Sequence, residues 1–247
     1  MHEVEAEVTP PKGFAIFFPA QEDGTSARKK EVTVPELKNF PSSWKVKNLD
    51  KVTGGKLRLL REDGEVREFE VVIDYGRRVG STRVKASSKF KVFQRRGGYA
   101  IAIDCPSRFI DTAAALLSLS VHGDLGGFGV RGIKRDDFLK LWEYARTRRG
   151  EPRDVHFRMI KGDSVSVYRV SGRAILHVKE IGEPVALMKL AKRIKRLGFG
   201  FPPNSLSDSE FHFWIADWGG GTIYEPLQVL PHHAIALAKF FEEALSS

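Results

Sequence analysis

Cysteine occurs once in the 247 residues, at Cys105, which excludes an intrachain disulfide framework and any zinc module built from several cysteines. Asparagine is confined to Asn39, Asn48 and Asn204 and glutamine to Gln21, Gln94 and Gln228, while charged residues make up 29% of the chain. That balance is the one thermophilic surfaces show. No apolar run approaches the length needed to cross a bilayer. Met1 to Val8 carries Glu3, Glu5 and Glu7 in place of the basic start and apolar run of a secretory signal, so a cytoplasmic protein is expected. No complete nucleotide, metal or catalytic motif is present either. The expectation is therefore no cofactor and no metal centre, with catalysis left open.

The most informative absence is local. No carboxylate lies between Asp74 and Asp104, and that interval holds Arg77, Arg78, Arg83, Lys85, Lys89, Lys91, Arg95 and Arg96. The net charge of +9 is uneven: residues 1–27 sum to −4, 28–100 to +10, 101–150 to +2, 151–200 to +6 and 201–247 to −5. A basic middle between acidic ends points to a positive surface facing an anionic partner.

Around Ala86-Ser87-Ser88, Val84, Phe90 and Val92 alternate with Arg83, Lys85, Lys89 and Lys91, the period of half-buried strands. A three-residue loop at 86–88 would pair Val84 with Phe90 and Arg83 with Lys91, collecting the cations, together with Phe93 and Arg95, on one face. Such a face suits nucleic acid, its cations meeting phosphates and its aromatic ring stacking on a base. The competing expectation is a solvated lattice of ion pairs. The strand of Val66 to Tyr75 puts Glu68, Glu70 and Asp74 on one side, where they neutralise the basic strand if the two pair.

The expected fold class is α+β. An acidic arm (1–12) precedes a β-rich α+β domain (13–150), mainly antiparallel in its first hundred residues, with Asp63-Gly64 as a hairpin turn. Helices are predicted from about Arg108 to Val121 and Asp136 to Thr147. Past Gly150-Glu151-Pro152 a second α+β domain (151–247) carries strands at 155–160, 164–170, 174–178 and 211–216, and helices from about Pro184 to Leu197 and Pro231 to Leu245. The order of elements reads as a β-β-α-β-α unit used twice, from duplicated modules or a pseudo-twofold single domain.

The helix of Pro184 to Leu197 would turn Lys189, Lys192, Arg193 and Arg196 outward as a second basic element, or simply as a solvated face. In Asp217-Trp218-Gly219-Gly220-Gly221-Thr222, Trp218 offers a stacking ring and the glycines offer backbone N–H groups, although the spacing fits no phosphate-binding fingerprint. The alternative for this string is a structural turn. Cys105 stands before a helix N-terminus, where a thiolate is stabilised, but has no histidine beside it in sequence. His177 and His212 are able to converge with Asp217 only if their strands are neighbours. The leading expectation is a non-catalytic protein that binds single-stranded DNA or RNA. The alternatives are a nucleic-acid-processing enzyme and a structural subunit of a homo-oligomer or protein complex.

Overall fold

The computed structural model describes residues 11–20, 29–40, 46–148, 151–161, 164–170 and 193–246, with the backbone course alone for 151–161, 164–170 and Arg193. The described strands are β1 (Lys12–Pro19), β2 (Glu31–Thr33), β3 (Val52–Asp63), β4 (Val66–Val79), β5 (Thr82–Arg95), β6 (Ala100–Ile103), β7 (Phe128–Gly129), β8 (Glu151–Lys161), β9 (Ser164–Val170), β10 (Arg193–Phe201), β11 (Phe211–Ala216) and β12 (Gly220–Glu225). They form a 12-stranded sheet in the order β2-β3-β4-β5-β6-β1-β12-β11-β10-β8-β9, with β7 paired to β1 off that path. Every pairing is antiparallel.

Among the described residues four α-helices accompany the sheet: α1 (Val34–Lys38), α2 (Ile110–Val121), α3 (Arg135–Thr147) and α4 (Pro231–Ser246). Each side of the sheet has its own core. Ala15, Phe17, Phe69, Val71, Phe90 and Val92 bury under α2 and α1, and Phe14, Ile16, Phe93 and Ile101 bury under α3 and α4. This explains why β1 reads as the unbroken run Phe14-Ala15-Ile16-Phe17-Phe18: both of its faces are covered, so no polar alternation survives. The same holds for α2, whose residues from Thr112 to Val121 are all buried. Its Ser118 hydroxyl donates to the Ala114 carbonyl at 2.8 Å and accepts the Phe128 N–H at 2.7 Å, so the buried polar group is satisfied.

The antiparallel α+β architecture and helices α2, α3 and α4 match the sequence expectation. The repeat of a β-β-α-β-α unit is not confirmed in the second half. Its described elements are five strands and α4, and residues 193–197, expected to close a helix, open strand β10. Gly198, expected to stop that helix, and Gly200 are both strand residues. They sit in β10 opposite Trp214 and His212, where a missing side chain makes room for a large ring. The strand predicted at 174–178 lies outside the described residues. Across the boundary expected near 150, β1 pairs with β12, and Phe14 and Phe138 share a core with Phe213 and Phe240.

Candidate nucleic-acid interface

β4 and β5 pair continuously from Val66↔Arg95 to Val79↔Thr82, and the chain reverses at Gly80-Ser81, where Gly80 adopts φ +60°. This corrects the three-residue loop expected at Ala86-Ser88, which is strand throughout. The true turn lies where glycine supplies the left-handed conformation a two-residue hairpin needs. Val84 therefore faces Arg77 and Lys91 faces Glu70.

β3 accompanies β4 only as far as Val52↔Tyr75, and β6 accompanies β5 only over Lys91–Gln94. Gly76 to Lys85 consequently leaves the sheet as a two-stranded ribbon, four rungs or about 13 Å long. Arg77, Arg78, Arg83 and Lys85 are all exposed. Arg78, Arg83 and Lys85 share one face of the ribbon, while Arg77 shares the other with Val79 and Val84. Arg78 stands directly opposite Arg83, a like-charged pairing that destabilises a sheet. Among the described residues none of the four cations makes an ion pair. The Arg83 guanidinium lies across Gly76, where a β-carbon would overlap it, and Arg78 Nε donates to the Gly80 carbonyl at 3.2 Å.

Closer to the sheet the opposite arrangement holds. Lys89 pairs with Glu70, Lys91 with Glu68 at 2.5 Å, Arg58 with Glu70 at 3.4 Å and Lys56 with Glu31 at 3.0 Å, and the Ser87 hydroxyl donates to Asp74. The Lys89 hydrogen bond holds the Glu70 carboxyl below its ordinary value, against the opposing effect of burial. Arg95 reaches Glu242 of α4 at 2.7 Å, and Arg96 reaches Glu62 at 3.5 Å. The ion-pair lattice anticipated from Glu68 and Glu70 is thus present, with Lys89 and Lys91 as its partners in place of Arg83 and Lys85. Phe93 is a correction too: at 2% exposure it offers no stacking surface. Beyond Lys91 the same side of β5 is covered by α4, and Phe93, paired with Ile101, joins that core.

The other predicted site residues separate. Lys189 and Lys192 lie outside the described residues, and Arg193 is the first residue of β10. Arg196 sits on a strand where a helix was expected, with its guanidinium 5.0 Å from the Trp214 ring centroid. Trp218 is 44% exposed on the Asp217–Gly219 turn between β11 and β12. The glycines after it are structural. Gly220 and Gly221 pair with Ala15 and Phe14 of β1, and a β-carbon on Gly221 would overlap the Trp214 carbonyl. The sequence reading missed β12 because those glycines looked like a loop.

Burial pushes the Cys105 thiol well above its ordinary value, which leaves it a poor nucleophile. His177 lies outside the described residues. His212 and Asp217 stand at the two ends of β11, roughly 16 Å apart along an extended strand. They do not converge on one substrate atom. Among the described residues no group of histidine, cysteine or carboxylate side chains is arranged to hold a metal ion, and no helix is long and apolar enough to cross a membrane.

Two features went unnoticed in the sequence. Trp214 and Tyr224 lie on one sheet face, with Trp214 Nε1 donating to the Tyr224 hydroxyl at 2.9 Å. A cleft of about 580 Å³ is lined by Arg131, Lys134, Arg135 and Asp217 among others. The alternation of Phe211, Phe213 and Ile215 with His212 and Trp214 was the available signal for the first. The cleft is formed by segments distant in sequence and left none. No protein-family model matches the chain, and no curated protein matches it significantly.

Proposed function

We propose that this is a non-catalytic, cytoplasmic nucleic-acid-binding protein that grips the backbone of single-stranded DNA or RNA with the Gly76–Lys85 ribbon. The observation that carries this reading is the placement of Arg78 opposite Arg83 with no carboxylate on the ribbon, while Lys89 and Lys91 further along the same strand are each given one. Unneutralised cations on a slender projection cost stability in the free protein. A polyanion whose phosphates take up positions beside these cations offsets that cost and releases its own counterions. A two-stranded ribbon is also thin enough to enter the major groove of a duplex, so duplex DNA is the natural competitor.

The processing-enzyme reading is the weaker one, since His212 and Asp217 are held apart by β11. The test is a fluorescence-anisotropy titration of nuclease-treated protein against labelled single-stranded DNA, duplex DNA and RNA at low and near-physiological salt. Binding that weakens steeply with salt and prefers a single strand is expected. Absence of binding at low salt would refute the proposal.

A further inference from the structure

Given a chain that binds nucleic acid, on which this rests, we propose that the face of β10, β11 and β12 turned away from the phenylalanine core is a stacking platform for bases of a single strand. The alternation of β11 sends Phe211, Phe213 and Ile215 into the core and Trp214 to the opposite face. Tyr224 of β12 projects from that face as the hydrogen-bonded partner of Trp214. Trp218 reaches it from the turn, its ring lying across Gly220 where a β-carbon would overlap it.

Gly220, Thr222 and Tyr224 follow at alternate positions of β12, and Trp214 is opposite Thr222. The three rings are therefore set out along the strand at steps of about 6.6 Å. Trp218 and Tyr224 are 44% and 38% exposed, whereas Phe213 and Phe241 are at 0%. Next to Thr222 on the neighbouring strand is Gly13, beside which a β-carbon would meet open space. Flat rings over a floor of small residues accept flat ligands.

Charge completes the match. The Arg196 guanidinium lies on the Trp214 ring, and its Nε is buried with no hydrogen-bond partner among the described residues. Arg196 is opposite Ala216, at the same end of β11 as the Trp218 turn, and that turn is flanked by the cationic cleft: the Asp217 carbonyl accepts the Ile133 N–H at 2.8 Å, and Gly219 is packed against the Arg131 carbonyl. Arg131 and Arg135 share their charge with Asp137 and Asp136, at 3.8 and 3.0 Å, and Lys134 makes no ion pair among the described residues. A strand whose bases lie on the rings meets this group of cations at the Trp218 end of the platform, as aromatic and basic residues combine in sequence-tolerant single-strand binding.

The experiment compares oligothymidylate with an abasic oligomer of the same length, using anisotropy for affinity and intrinsic tryptophan fluorescence for contact. The wild-type protein, Trp218→Ala, Trp218→Phe and Tyr224→Ala are titrated, with circular dichroism as the check on folding. The expected result is tighter binding of the base-bearing strand with quenched tryptophan emission. Trp218→Ala and Tyr224→Ala each lower that preference by about tenfold with an unchanged salt slope, and Trp218→Phe keeps it. Equal affinity for both oligomers in a protein that still binds would overturn the platform and leave the ribbon standing. Failure to bind either would overturn both.

Discussion

Replacing Arg78, Arg83 and Lys85 together by alanine tests the ribbon most directly, because the three share one face and carry no ion pair among the described residues. Each phosphate contact with a single strand contributes about 0.7 to the slope of log K against log salt, so three contacts remove about 2 units. A fourfold rise in salt should then cost the variant about twentyfold less affinity than it costs the wild type. At low salt the variant should already bind weaker by an order of magnitude or more. The internal comparison is Lys89→Ala with Lys91→Ala, which removes two cations whose charge is already taken up by Glu70 and Glu68. Its slope should stay within a fraction of a unit of the wild type. Both variants would be measured by anisotropy across a salt series, with thermal unfolding to confirm that each is folded. The reasoning fails if the two variants lower the slope equally, or if the ribbon variant leaves it unchanged.

Phe213 touches six other aromatic rings at centroid distances of 5.4 to 6.1 Å, so Phe213→Ala should cost about 3–5 kcal/mol in denaturant unfolding, and a loss under about 1 would contradict a close-packed cluster. His233 is 5% exposed, and its Nδ1 accepts the Leu230 N–H at 3.1 Å at the start of α4. Burial, with the neighbouring His232 adding to it, lowers the His233 pKa below the ordinary 6.5, against smaller opposing contributions from the Gln228 backbone and Asp208. The folded state thus favours the neutral ring, and this contribution to stability is full above about pH 6.5 and is lost as pH falls through the lowered folded value. Urea midpoints at about pH 7.5 and pH 5 should differ more for the wild type than for His233→Gln; equal differences would show that His233 is not the titrating group.

The sequence made the elements more legible than their joins. The Asp63-Gly64 turn was plain because its dipeptide carries the required backbone conformation. The hairpin at Gly80-Ser81 was missed because cations and apolar residues alternate on both sides of Ala86-Ser88, and the small hydroxyl residues there imitate punctuation. Period-two alternation locates the two faces of a strand but says nothing about where the strand turns. Phe93 failed for another reason. The face it shares with Lys89 and Lys91 is solvent at one end of β5 and core at the other, and the cover is α4, far away in sequence. The helix expected to end at Leu197 rested on spacings of three and four residues among Leu187, Leu190, Ala191, Ile194 and Leu197; β10 brings Ile194 and Leu197 into one core because its register shifts between Ile194 and Arg196. Of the candidate interface, Arg78, Arg83 and Lys85 stand on one face of the ribbon and Arg77 on the other. Which of them are neutralised depended on register, and register was the part the pattern left open.

The central place of β1 has a consequence in time. Phe14 pairs with Ile103 on one edge and with Gly221 on the other, so this strand acquires its second neighbour only when the chain has emerged as far as β12. Until then a run of five apolar residues presents an open edge, the kind of surface that recruits other chains. A nascent chain arrested before β12 should therefore be far more prone to aggregate than its composition suggests.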